Sequence, residues 1–484
     1  MKSKKNYAKV AESYNAKAIM IVLLIGSFIS LFNETILNVA FPTLMVEMHI
    51  TATTVQWLTT GYVLVVGILV PITAFLIHTF TTKQLFLSAM TLFLVGTILA
   101  IFSTSFTALL ISRLIQASGT GMLIPIMMNT ALVVNPPEKR GSAVAICISV
   151  ITLGPALAPV VAGLLLQLFS WHALFIILIP LLIVCMVFGY IFLENTSVIT
   201  KPKIDYLSIL LSTIGFAGVI YAISAFGTIS TFNMLIVFVI GLIALILFGT
   251  RQLLLKEPML ELRSFKYPVF TIGMILIVLM QMLLFPLGMI IPLLLQNGLK
   301  TSTFISALTL LPGILCITIV TPFVGKIYDK IGGKTLIPSG LAIICIFTLI
   351  LSRITPLTSI TTIAVLYCFI CIGISMSMSP SQTNALNELS YKNQADGVAI
   401  ENTVRQIAGA FGSALFLGIM TVYQNNYLKN VSNFNNSQNQ INALYNGFSH
   451  SMMVAAIIIA AGFVVSLYPR RDNITSDEKI QAKF

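Results

Sequence analysis

The 484-residue chain is 57% hydrophobic and only 9% charged, with a formal net charge of +12. No globule of this size has interior enough for so much apolar side chain, which excludes a soluble domain and leaves a polytopic membrane protein. The positive charge does not point to nucleic acid, because the basic residues are scattered in short segments between apolar runs.

Hydropathy places fourteen candidate transmembrane spans, beginning near Ala18, Val55, Gln84, Thr107, Ser142, His172, Asp205, Phe232, Pro268, Thr303, Lys334, Pro356, Gly397 and Ser449. The Lys-rich start precedes a span too long for a signal peptide, so the first helix is expected to serve as the insertion signal. With the N-terminus in the cytoplasm, only Lys300, Arg353 and Lys429 of the 27 Lys and Arg fall outside. Arg113 and Arg405 lie within spans. The positive-inside rule therefore puts both termini in the cytoplasm. The expected organisation is a cytoplasmic N-terminus (1–17), six helices (18–193), two additional helices (205–250), a cytoplasmic connection (251–267), six more helices (268–469) and a cytoplasmic tail (470–484). The connection RQLLLKEPMLELRSFK is expected to hold a short interfacial helix, and the Asn-, Ser- and Gln-rich stretch 424–449 a solvated outside loop.

In the first span, Glu34 lies about 24 Å from the cytoplasmic end at about 1.5 Å per residue. A carboxylate at that depth is expensive in lipid, so it is expected to face the bundle interior or a watery cavity. Ser27, Ser30, Glu34 and Asn38 share its face at helical spacing. In the fourth span Arg113, Gln116 and Thr120 form a second polar stripe, with Arg113 at nearly the depth of Glu34. A pair of the two, direct or through water, would lower the cost of burying both, as a switch or as a permanent structural ion pair. In the fifth span Pro155 and Pro159 each remove an N–H, and Gly154, Ala158 and Ala162 form a smooth face for close helix packing. Between the tenth and eleventh spans GKIYDKIGGK is a cytoplasmic turn, with Asp329 among Lys326, Lys330 and Lys334, able to form a charge latch. The six cysteines all lie in apolar spans, so neither a disulfide framework nor a metal site is expected. No nucleophile–base–orienter set marks an enzyme, and no P-loop marks ATP drive.

The chain resembles the major facilitator superfamily, and within it the 14-span drug:proton antiporters of the lincomycin and quaternary-ammonium exporter type. The resemblance rests on TILNVAFP at Thr35 to Pro42, R-x-x-Q-x-x-G-x-G-x-x-x-P from Arg113 to Pro125, and GP-x-x-(A)P-x-x-x-G from Gly154 to Gly163. Trp171 followed by Pro180, and the run from Gly325 to Lys334, complete it. It implies an all-α integral membrane fold with two six-helix bundles plus two extra central helices, alternating access, a proton gradient as the only drive, and no cofactor. It also implies amphipathic drugs and protons as ligands; the Lys-, Asn- and Ile-rich composition is compatible with a bacterium, so a monomer in a bacterial cytoplasmic membrane is expected. By resemblance Arg113 couples protons, with Glu34 expected to join it from its depth and polar stripe, while Gly154, Pro155, Pro159 and Gly163 form the antiporter run and Gly325, Asp329, Lys330 and Gly333 a gating turn.

Two departures stand out. An Asp is common in the family where this chain has Asn33, its acid moved on to Glu34. The N-terminal Gly, Asp and Arg signature is replaced by AFLIHTFTTK, with His78 in the Asp position. Substrate is expected to meet Asn33, Tyr62, Gln116, Asn129, Met280, Gln281 and Met282, an apolar lining with polar handles. An exporter of one metabolite, peptide or lipid would use the same fold, and a transport-inactive receptor or assembly factor is the alternative of a different class.

Overall fold

A computed structural model describes residues 15–196, 199, 205–224, 231–255, 258–390, 393–431 and 436–467. Most of the N-terminal segment 1–17 and all of the tail 470–484 lie outside these residues. No strand occurs among the described residues. Thirteen helical segments are long and apolar enough to cross a membrane, and Tyr206–Ala222 is a shorter apolar helix.

The first span is broken. Helix α1 (Ala16–Ile36) gives way to a 3₁₀ turn (Leu37–Ala40) and then to α2 (Phe41–Glu47). Pro42 opens α2 and has no N–H to offer the carbonyl four residues back, that of Asn38, which weakens the helix at this point. The unbroken helix that composition suggests through Ala40 therefore stops short, and Asn38 leaves the stripe of Ser27 and Ser30 to accept from Thr59 Oγ1 at 2.6 Å.

The next helices are α3 (Ala52–Thr79), α4 (Thr82–Ile101), α5 (Phe106–Val134), α6 (Arg140–Leu168), α7 (Ala173–Ile176) and α8 (Leu178–Phe192). Local chemistry sets their starts: Thr51 and Ser105 cap first-turn amides, and Thr81 with Gln84 forms a capping box. Within this set α1 packs on α5, α6 and α8, α3 on α5, and α4 on α5 and α8.

Two helices follow, α9 (Tyr206–Ser224) and α10 (Thr231–Leu254). The expected interfacial helix is reduced to a 3₁₀ turn (Leu262–Lys266), because the first part of that connection, to Leu254, prolongs α10. The second set is α11 (Pro268–Gly298), α12 (Thr303–Ile331), α13 (Gly333–Leu351), α14 (Ile360–Asn387), α15 (Gln394–Lys429) and α16 (Ser437–Ser466). The stretch expected to be a polar loop, 424–449, is mostly helical. Residues up to Lys429 continue α15, and Asn436 starts α16 by accepting from Gln438 N at 3.0 Å. Gly332, at φ 74°, takes the left-handed backbone that ends α12.

The two sets meet along two seams, α6 against α12 and α3 against α15. Polar ties gather at the ends of these helices that carry most of the lysines, here the basic end. Asp329 accepts from Gly141 N at 2.9 Å and Ser142 N at 3.0 Å, Arg140 Nη1 donates to Asn387 Oδ1 at 3.2 Å, and His78 Nε2 lies 3.7 Å from Asp396 Oδ1.

Glycines allow the close crossings. A methyl at Gly119 would strike the backbone carbonyl of Ala89 and the Cβ of Phe93 on α4. Backbone cannot move aside cheaply, and overpacking costs about 1–3 kcal/mol. Gly119→Ala is expected to lower the unfolding temperature in detergent, whereas Gly163→Ala, with nothing within 4 Å of its added methyl, is expected to leave it unchanged.

Candidate functional site

The site grows out of the break in α1. At the helix end the Leu37 amide turns to the Thr35 carbonyl instead of that of Asn33. Arg113, wholly buried on α5, fills the gap: Nη1 donates to Asn33 O at 3.0 Å and Nη2 to Glu34 O at 2.9 Å. A cation at a helix C-terminus meets the negative end of the dipole, so the guanidinium acts there as a cap. Nη1 also donates to Gln116 Oε1 at 3.1 Å, Nε reaches Leu58 O at 3.5 Å, and the guanidinium carbon sits 4.2 Å from the centre of the Tyr62 ring.

Arg113 therefore meets Glu34 through the peptide carbonyl and not through the carboxylate. The Glu34 side chain is half-buried and takes no hydrogen bond or ion pair among the described residues. A fully buried guanidinium satisfied by dipoles leaves its field available to a nearby acid without consuming it in a salt bridge.

A hydrogen-bonded chain extends this site. Asn33 Nδ2 donates to Gln116 Oε1 at 3.1 Å, and Gln116 Nε2 to Thr97 Oγ1 at 2.9 Å. Tyr62 shares a 2.5 Å hydrogen bond with Thr120 and reaches Ser30 O at 3.5 Å. Asn33, Tyr62 and Gln116, expected to line a substrate cavity, are thus buried in the Arg113 network. Asn129, Met280, Gln281 and Met282 are buried too, the last three on α11. Two of the seven keep a buried oxygen without a donor, Asn33 Oδ1 on α1 and Gln281 Oε1 on α11.

The run from Gly154 to Gly163 on α6 lies against the end of α1. A methyl at Gly154 would come within 2.9 Å of Phe32 N and 3.1 Å of Leu31 Cβ, and Ala158 and Ala162 are fully buried. Helix α6 runs unbroken through Pro155 and Pro159, while Gly163 meets no neighbour.

Asp329 ties neighbouring helix ends, with amides as its partners. Instead of balancing the lysines of its own turn, it accepts from the first amides of α6 and from Ser142 Oγ, an N-cap supplied across the seam. Lys330 is exposed. Gly325 lets α12 approach α6, since a methyl there would lie 2.6 Å from Ala145 Cβ, and Gly333 sits beside Asn384 Nδ2. His78, in place of the family's Asp, faces an acid on the opposite set.

One buried ionisable cluster lies outside the residues singled out from the sequence. Glu401 on α15 is fully buried, bonded through Oε1 to Arg405 Nε at 2.9 Å and through Oε2 to Gln382 Nε2 at 3.0 Å, and Gln382 Oε1 accepts from Arg405 Nη2 at 3.3 Å. The signal was present: Glu and Arg four apart in an apolar helix form an i,i+4 pair.

Residues 23–413 match the family model described as Major Facilitator Superfamily. The chain belongs to that superfamily. It is 42% identical over 471 residues to "Lincomycin resistance protein LmrB" of Bacillus subtilis (strain 168), covering 96% of this chain and 98% of that protein. The LmrB of Listeria innocua is 41% identical, covering 93% and 95%. Among solved structures, a double-Trp mutant of XylE superposes with a TM-score of 0.67 at 13% identity, covering 97% of this chain and 98% of XylE, which shows the shared fold. The protein is a transporter, not an enzyme, and sits as a multi-pass protein in a bacterial cytoplasmic membrane.

Two outcomes are expected of this geometry. Arg113→Lys keeps the charge but not the planar fork, and loses charge-assisted bonds worth about 1.5–3 kcal/mol each. Its unfolding temperature in detergent should fall well below wild type. Asp329→Ala removes a cap worth about 1 kcal/mol. A cysteine placed at Ala145 should then be alkylated faster from the basic side, and an unchanged rate would show that the cap does not hold the seam.

Proposed function

We propose that the protein is a drug:proton antiporter that exports amphipathic antimicrobials or lipophilic cations by alternating access. The observation that carries the reading is the half-buried Glu34 carboxylate, unpaired at the broken end of α1 beside a guanidinium that is already satisfied. Such a group can gain and lose a proton without first breaking a salt bridge. The similarity to proteins named for lincomycin resistance supports a drug as cargo.

The proposed topology has fourteen spans, both termini in the cytoplasm, six-helix bundles over 18–193 and 268–469, and the pair over 205–250 between them. In that orientation the basic end is cytoplasmic, and the ties at Asp329, Arg140 and His78 close it. Glu34 then belongs to the outer half, where a proton from outside neutralises it. Neutralisation weakens the attraction between Glu34 and Arg113, favours the state open to the cytoplasm, and lets drug bind there. Proton release inside restores the carboxylate and turns the carrier outward. One elementary charge crossing 100 mV supplies about 2.3 kcal/mol, and each unit of pH difference about 1.4 kcal/mol. No cofactor takes part, and a monomer suffices.

Asn33 Oδ1 and Gln281 Oε1, polar oxygens without donors on the first helix of each set, are the proposed handles for a polar or cationic group of the drug. The other proposed contacts are Tyr62, Gln116, Asn129, Met280 and Met282. Within the proposed antiporter run of Gly154, Pro155, Pro159 and Gly163, it is Gly154 that would hold α6 against the end of α1 beside Glu34 during this exchange.

The test is proton movement in everted vesicles on addition of a lincosamide or a lipophilic cation. Wild type is expected to dissipate the proton gradient and Glu34→Gln to lose that response while still binding drug. An equal response from both would place the coupling acid elsewhere.

A further inference from the structure

The α9–α10 pair is not a detached appendage. Helix α9 lies against both α3 and α15, the two helices that form one of the seams between the sets. Its grip on α3 is specific. Ile220 occupies the space where Gly67 has no side chain, 2.6 Å from a methyl placed there, and Tyr221 stacks on Trp57 with ring centroids 5.6 Å apart. The two helices of the pair press together at Gly218 and Gly241, where a methyl on Gly218 would lie 2.9 Å from the Gly241 Cα.

The basic end of the pair is tied to the second set. Arg251 holds Asp205 in a two-pronged ion pair at 2.9 and 3.0 Å, and this hydrogen bonding lowers the Asp205 carboxyl to about 2. The tie is therefore present above the ordinary carboxylate range and is lost only as pH falls through about 2. Gln252 donates to Ser208 Oγ at 2.6 Å and accepts from Leu260 N at 3.1 Å. Arg263 closes the end of α10 through the carbonyls of Leu253 and Leu255 at 3.0 and 2.9 Å. The 3₁₀ turn that carries Arg263 packs on α11 and α15.

Among the described residues the opposite seam has no such cover. Along α6 and α12 the apolar side chains of Ile146, Val160, Leu164, Ile319, Phe323 and Ile327 are exposed, and Thr152 and Thr318 meet between the helices with hydroxyls 3.3 Å apart.

We propose that the α9–α10 pair is a permanent lateral cover over the α3/α15 seam, and that amphipathic substrate dissolved in the bilayer enters by the α6/α12 seam alone. A pair held by α3 near one end and by the second set at the other spans the seam as a strap, so the halves hinge on this side and part on the other. The access route rests on the exporter reading; the cover does not.

Two measurements separate them. The chain has two tryptophans, and Trp171 is buried with its indole bonded to Glu47 Oε2. In vesicles of lipid brominated along the acyl chains, Trp57 quenching in the Trp171→Phe protein is expected to stay the same with and without a proton gradient and ethidium. A rise on cycling would show the pair lifting from α3 and overturn the cover. If Trp171→Phe does not fold, the wild-type chain reports the same change over a constant background. For the route, a bulky maleimide on Phe323→Cys is expected to slow ethidium export several-fold, and the same reagent on Ile246→Cys, on the outer face of α10, to leave it unchanged. Equal slowing at both, or slowing only at Ile246, overturns the route. Absence of ethidium export from the unlabelled parent would defeat the exporter reading and the route with it, leaving the cover to the fluorescence result.

Discussion

The structure depends on how one buried guanidinium is satisfied. Arg113 has no solvent exposure, and an unpaired charge in that position would cost several kcal/mol. Its donors are met by peptide carbonyls and a side-chain amide, and the Asn33 carbonyl is free because the Leu37 amide turns to Thr35 where α1 ends. The break in one helix and the cation on another explain each other. Irregular backbone inside a membrane protein is tolerated only where protein groups complete its hydrogen bonds.

This arrangement divides the work between two charged residues. Arg113 is fixed and spends its donors on backbone, while Glu34 remains half-buried and uncommitted. Elsewhere the chain pairs its buried charges: within the second set, Glu401 and Arg405 on α15 close a ring with Gln382 on α14, with every carboxylate oxygen bonded. Glu34, by contrast, takes no hydrogen bond or ion pair among the described residues, so no network has to be dismantled for its charge to change.

The contacts that close the basic end share an economy of a different kind. Asp329 caps a helix of the opposite set, and His78 faces Asp396 across the other seam. Both acids belong to the second set.

Composition and hydropathy by themselves determined that the chain lies in a membrane as many helices, because a bilayer offers no solvent for backbone or charge outside such helices. Glu34 and Arg113 stood out for the same reason, since ionised side chains are rare in spans whatever their neighbours. What the sequence could not carry was direction. It suggested a tie between Glu34 and Arg113, and only the tertiary structure chose the carbonyl over the carboxylate, because that choice turns on where α1 unwinds and how far a guanidinium reaches. It placed Asp329 among lysines, whereas the partners proved to be amides nearly two hundred positions away, in another helix. It showed two extra helices but not that they lie over one seam, a relation fixed by Gly67, Ile220, Trp57 and Tyr221 meeting across helices. Periodicity reports which face of a helix is apolar; which neighbour that face meets is decided by packing of the whole chain.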